Sequence, residues 1–227
     1  MHRSDIISLS YQNLVACIMQ TMTIDPYLFY LTQHLTPARI QHSLGVMQVM
    51  EQLAPIYELD PTTARLAGLA HDAAKELTSP QMIEIARMMH FPLNDSSDCD
   101  PLYLHGPCSA YVASHEMGIQ DPLILEAILR HSYVGDGPVQ SPVFCWCLRF
   151  ADMLEPGRDW HDVRSSLQPM IFAGQMGQAA YELMEWLMPF LESMNIIPHP
   201  AQRALRRKLA QLFANGANGV NNDQLPV

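Results

Sequence analysis

The chain has 227 residues, enough for one domain with a sizeable core, and its apolar fraction of 48% is that of an ordinary globular protein. Its formal net charge of -10 excludes a general affinity for nucleic acid, because no basic face is available to displace counterions from phosphates. An anionic ligand would have to be met by a local positive centre.

Taken in chain order, residues 1–12 read as a loosely held arm, and Met1-His2-Arg3-Ser4-Asp5 opens it without the apolar run expected of a secretory leader. Proline then punctuates the chain. Thr36-Pro37, Asp60-Pro61, Ser79-Pro80, Asp100-Pro101, Asp121-Pro122 and Ser141-Pro142 each pair a capping side chain with a residue suited to the first helical turn. Each pair predicts a helix start. Apolar residues follow at spacings of three and four, as in Ile40, Leu44, Met47 and Met50, or Ile124, Ala127 and Ile128. Strand signals are weak, with no Asn-Gly or Asp-Gly turn between alternating apolar runs.

The expected fold is therefore all-α: one helical bundle over residues 13–213, with about eight to ten helices. Its metal-binding half covers 36–160, and C-terminal helices over about 165–195 and 199–213 pack as cover. Residues 214–222 are mostly small and polar, and 214–227 are expected to form a disordered tail. No segment has the apolar length to span a bilayer. Cys17, Cys99, Cys108, Cys145 and Cys147 are odd in number and lack a C-x-x-C spacing, which fits reduced thiols in a cytoplasm. Cys145-Trp146-Cys147 alternates within an apolar run and is read as buried packing.

The chemistry concentrates at the ends of apolar segments. His71-Asp72 follows Ala64-Arg65-Leu66-Ala67-Gly68-Leu69-Ala70, where buried charge is costly unless paired or metal-bound. His42 precedes this pair on an amphipathic helix, His105 lies at an expected helix start, His131 ends the helix 124–130, and Asp152 follows Phe150-Ala151. Four His and two Asp make a mixed nitrogen–oxygen donor set suited to Fe, Mn, Co, Ni or Zn and unsuited to Mg or Ca. Six donors overfill one tetrahedral site but divide between two divalent ions, with Asp72 as the bridge. That is the apparatus of phosphoester or phosphoanhydride hydrolysis. Lys75, three residues past Asp72 on the same helical face, could neutralise a further phosphate oxygen. His2, His34, His90, His115, His161 and His199 lack such context and are read as surface or capping groups.

Arg39-Ile40-Gln41-His42-Ser43-Leu44-Gly45-Val46, Ala70-His71-Asp72-Ala73-Ala74-Lys75-Glu76-Leu77, Leu104-His105-Gly106-Pro107 and Ala151-Asp152-Met153-Leu154-Glu155-Pro156-Gly157-Arg158 together resemble the HD-domain superfamily. Within it, the last string resembles the YqeK-type bacterial symmetrical diadenosine tetraphosphate hydrolases. The resemblance covers about residues 36–165. It implies the all-helical HD fold, a two-metal centre of the di-iron kind, and His42, His71, Asp72, His105, His131 and Asp152 as ligands. It also implies Asp72 and Lys75 in catalysis, and Lys75, Glu155 and Arg158 in contact with a nucleotide substrate cut into two ADP. A homodimer is compatible with it.

Three departures stand out: the arm, the segment from Ser132 to Pro138, and the C-terminal helices beyond about 165. Lys75-Glu76 disfavours a guanosine tetraphosphate hydrolase, which would carry Glu-Asp, and no Gly-Tyr-Pro element marks a cyclic dinucleotide phosphodiesterase. An HD-type nucleoside monophosphatase and a non-catalytic, metal-stabilised nucleotide-binding protein remain as alternative readings.

Overall fold

The structure, a computed structural model, describes residues 24–94, 98–132, 138–213, 222 and 225–227. The arm, most of the segment after Ser132, and residues 214–221 of the tail lie outside the described residues. A helical stretch over 24–34 (α1) is followed by α2 (Pro37–Leu53), α3 (Pro61–Ala70), α4 (Ser79–Met88), α5 (Pro101–His115) and α6 (Pro122–Arg130). Then come α7 (Pro142–Leu154), α8 (His161–Phe172), α9 (Met176–Ser193) and α10 (Pro200–Phe213). No strand occurs among the described residues, so the fold is all-α.

Five of the six predicted starts are capped as expected. Thr36, Asp60, Asp100, Asp121 and Ser141 accept from the backbone N–H groups of Arg39, Thr63, Leu102, Leu123 and Phe144. The sixth is shifted by one residue. Thr78, not Ser79, caps α4, because Gln81 Oε1 accepts from both the Thr78 backbone N–H (2.8 Å) and its hydroxyl (2.7 Å).

Two layers result. In the first, α2 packs on α3 and α7, α6 packs on α3, α5 and α7, and α4 packs on α5. In the second, α8 and α10 flank α9, and α7 joins the layers through α8 and α9. The close approach of α2 and α3 depends on Gly68, where a Cβ would lie 2.8 Å from the Met47 Cα. Cys108, Cys145 and Cys147 are buried in the core, and burial pushes the Cys108 and Cys145 thiols up to about 12, which fits packing and not redox chemistry.

The C-terminal region departs from expectation in two ways. The single helix expected over about 165–195 is two, because Gly174 takes φ +76° and turns the chain between α8 and α9. Residues 225–227, expected within a disordered tail, are packed: Leu225 is buried and the Trp146 indole N–H donates to the Pro226 carbonyl at 2.9 Å. The indole needs an acceptor once buried, and the tail supplies it.

Replacing Gly68 by alanine should lower the urea midpoint of the chelated protein, by about 1–3 kcal/mol of overpacking, since the obstacle is backbone and cannot swing aside. A midpoint equal to that of the unaltered protein would show that α2 and α3 can separate at no cost.

Candidate metal centre

Helix ends place most of the donors. α3 stops at Ala70 and the chain continues in i→i+3 turns, with the Lys75 N–H on the Asp72 carbonyl at 2.9 Å. Lys75 therefore follows Asp72 across a turn and not along the regular helix expected. His71 is the C-cap of α3 and His131 the C-cap of α6. The last carbonyls of a helix lack partners within it, and each of these imidazoles takes one. The His71 Nδ1–H donates to Gly68 O at 2.8 Å, and the His131 Nδ1–H to Ile128 O at 2.6 Å. His105 lies in the second turn of α5, one turn beyond the expected start, and its Nδ1–H donates to Pro101 O at 3.0 Å. His42, on α2, places Nδ1 3.3 Å from Glu155 Oε2.

With all four Nδ1 atoms committed as donors, the four Nε2 atoms present lone pairs. These lone pairs meet. His42 and His71 Nε2 lie 3.2 Å apart, and His105 and His131 Nε2 lie 3.1 Å apart. The buried Asp72 carboxylate lies between the pairs. Its Oδ2 is 3.7 Å from His42 Nε2 and 3.6 Å from His71 Nε2, while its Oδ1 is 3.5 Å from both His105 and His131 Nε2. Asp152 Oδ1 adds to the first pair, 3.0 Å from His42 and 3.7 Å from His71. Ligand atoms of His42/His71/Asp72, of His71/His131/Asp152 and of Asp72/His105/His131 each fall within 4.8 Å of one another.

This arrangement fits divalent metal ions. Two facing lone pairs repel unless a cation lies between them, and the buried Asp72 Oδ1 accepts no hydrogen bond. Imidazole nitrogens with carboxylate oxygens are the donors of borderline divalent metals.

Positive groups crowd the same carboxylates. Burial alone would raise the Asp72 carboxyl, but His71, Lys75 and the other histidines outweigh it and hold it well below the usual carboxylate range. Asp152 is likewise held low against its burial by Arg158, His42 and His71. The Lys75 amine, pushed down by burial, donates to His105 Nε2 at 2.8 Å and lies 3.7 Å from Asp72 Oδ1.

The structure brings the six expected donors together with Lys75 and Arg158, and places Glu155 elsewhere. The Glu155 side chain is buried behind His42, where Oε1 also accepts from the Gly157 N–H at 2.8 Å. It faces the His42 ring nitrogen that points away from the centre. Gly45 makes the room, since a Cβ there would meet Glu155 Oε1 at 2.5 Å. Arg158 pairs with Asp152 Oδ1, lies over the Trp160 ring at 5.1 Å, and lines the cleft beside Lys75, His105 and His131.

Two site residues escaped the sequence reading. Arg39 Nη1 donates to Asp72 Oδ2 at 3.0 Å, and its position three residues before His42 on α2 was the available signal. Arg149 donates from Nη2 to Arg130 O at 2.6 Å and from Nε to His131 O at 3.2 Å, holding the end of α6. A lone arginine in the apolar face of α7, three residues before Asp152, was its signal. Ser132 Oγ accepts from the Gly106 N–H at 3.1 Å, joining α6 to α5. Of the histidines read as surface or capping groups, His34 and His115 are exposed and bond their own helices at Tyr30 O and Tyr111 O. His199 is a capping group but not a surface one: buried, it accepts from the Ala201 N–H at 3.1 Å and donates to Asp98 Oδ1 at 2.7 Å. His2 lies outside the described residues.

A model of the HD domain matches residues 39–157, the stretch that holds every donor. The chain belongs to the HD-domain family. A symmetrical bis(5'-nucleosyl)-tetraphosphatase of Halalkalibacterium halodurans is 34% identical over 57% of this chain and 67% of its own. Another of Staphylococcus aureus is 31% identical over 72% of this chain and 82% of its own. A solved structure from Clostridium acetobutylicum, described as an HD superfamily hydrolase involved in NAD metabolism, superposes with a TM-score of 0.74 at 30% identity, covering 82% of this chain and 96% of its own. The likeness to that HD hydrolase covers more of this chain than the 39–157 stretch of the family motif.

Among the described residues no helix of this HD protein is long and apolar enough to cross a membrane. Replacing Glu155 by alanine should weaken metal binding about 10- to 100-fold, because His42 loses the group that orients it. Competition with a chromophoric chelator measures this. Unchanged metal affinity with a raised KM for nucleotide would return Glu155 to the substrate.

Proposed function

We propose that the protein hydrolyses diadenosine tetraphosphate symmetrically to two ADP, using two divalent ions held by His42, His71, Asp72, His105, His131 and Asp152. The observation that carries this reading is the Asp72 carboxylate between two pairs of facing imidazole lone pairs, opening on a cleft lined by Lys75 and Arg158. The names of the relatives from Halalkalibacterium halodurans and Staphylococcus aureus support the substrate. Iron is our choice of ion, from the nitrogen-rich donor set and the YqeK-type resemblance. Buried free thiols suit the cytoplasm, where we place the protein.

Bound ions would supply an acidified water and neutralise phosphate charge. The chain's own groups do the rest. Lys75 and Arg158, together with Arg39 beside Asp72, offer N–H donors to the phosphate oxygens as negative charge develops. ADP is a weakly basic leaving group, so no strong general acid is required of the chain. The shielded Asp72 stays ionised and keeps its place as acceptor at neutral pH.

Chromatography of the products should show ADP alone from diadenosine tetraphosphate. Equal AMP and ATP would mean an asymmetrical cut, and AMP dephosphorylation without cleavage of the dinucleotide would establish the monophosphatase instead. Binding of nucleotide without any product would leave a sensor.

Asp72→Ala should abolish turnover and release at least one ion, since one carboxylate faces both imidazole pairs. Full turnover with full metal content would overturn the shared role. Lys75→Met should keep its metal and lose about 10²- to 10³-fold in kcat, the scale of one removed charge-stabilising donor. Metal loss in that variant would make Lys75 a support for His105 and not a phosphate contact.

A further inference from the structure

Past the metal donors the cleft deepens into a pocket of about 220 Å³ whose walls differ in kind. One wall carries Lys75, His105, His131, Asp152 and Arg158. The other consists of Trp160 and the α9 residues Leu183, Leu187, Phe190 and Leu191, with Ile196 beyond them. Their spacing along α9 is i, i+4, i+7 and i+8, the apolar stripe of an amphipathic helix. Such a stripe ordinarily packs on a neighbouring element, yet here it lines a cavity beside charged groups. Leu183 and Leu191 are buried, while Leu187, Phe190 and Trp160 are half-buried.

The wall is rigid. Phe190 stacks on Trp186 at 4.6 Å between centroids, and Trp160 meets both rings at 6.0 and 5.6 Å. Arg158 spans the two chemistries, its guanidinium over Trp160 and its Nη2 on Asp152. At the polar end lies Gln202, buried, whose Oε1 accepts from the Tyr103 hydroxyl at 3.1 Å. That hydroxyl accepts in turn from the His199 N–H at 3.1 Å. With Oε1 on that hydroxyl, which also lies 3.4 Å from Ile197 O, the NH₂ is the amide group Gln202 has left for the pocket it lines.

A ligand matching this pocket has a flat apolar body, an acceptor on its edge and an anionic tail reaching the metal donors. The pocket offers a single apolar wall, against which one base of a dinucleotide can lie. We propose that Trp160 and the α9 stripe Leu183, Leu187 and Phe190 form the subsite for one purine nucleoside of the substrate, with Gln202 donating to a ring-nitrogen acceptor. This rests on the nucleotide reading of the site and adds to it the residues that select a nucleoside over a bare polyphosphate.

Titration calorimetry of the metal-loaded protein with ADP and with pyrophosphate, which is ADP without its nucleoside, tests it. Leu187→Gln, at a half-buried position, should weaken ADP about tenfold, the scale of burying one leucine side chain against an apolar surface, and leave pyrophosphate within about twofold. ADP should also quench the Trp160 emission and pyrophosphate should not, and Trp160→Phe should lose that change. Equal weakening of both ligands, or no weakening of ADP, would overturn the subsite; so would a quench that persists in Trp160→Phe. Turnover is not part of this readout. A protein that binds ADP through the wall yet releases no ADP from diadenosine tetraphosphate would refute the proposed reaction and keep the subsite. Release of ADP by a protein whose Leu187→Gln variant binds ADP normally would do the reverse.

Discussion

A carboxylate with 1% of its side chain exposed, Asp72, lies between two pairs of imidazoles whose lone pairs point at each other. Burial of that charge and repulsion between those nitrogens both oppose folding, and only positive charge in the same space relieves them. The rest of the site follows from this constraint. Each imidazole is turned inward by an acceptor on its far nitrogen: a helix carbonyl for His71, His105 and His131, and the buried Glu155 carboxylate for His42. Arg39 and Lys75 close on Asp72, and Arg158 on Asp152.

The helical scaffold makes this arrangement accessible. α3 and α6 both end on a histidine, so the unsatisfied carbonyls of a helix terminus become the anchors of metal-type ligands. α7 then carries the site outward. Asp152 closes its last turn, Glu155 caps it with ψ 129° and swings behind His42, and Arg158 and Trp160 follow into the pocket. One continuous segment thus joins the metal donors to the apolar wall of α9, so the second layer of helices lines the same cleft.

The helix starts were legible in the sequence because a cap beside a proline is a local signal. Of the donors only His71-Asp72, a polar pair at the end of an apolar run, stood out locally; His42, His105, His131 and Asp152 gained meaning jointly and through the HD resemblance. Glu155 was misplaced because its role turns on the extended backbone at the end of α7 and on the space left by Gly45, which lies far away in sequence. Arg39 and Arg149 matter through carboxylates and carbonyls on other helices, so spacing alone gave only a hint. The break at Gly174 was hidden because a lone glycine inside an apolar pattern reads as tolerated. The apolar stripe of α9 drew no reading from the sequence, since periodicity tells which face is apolar and not what covers it.

Diffraction from crystals of the metal-loaded protein at the absorption edge of the bound element locates the ions. Two anomalous peaks are expected, one beside His42 and His71 and one beside His105 and His131, with Asp72 reaching both. A single peak, or peaks whose neighbouring imidazole nitrogens are Nδ1, would contradict this arrangement.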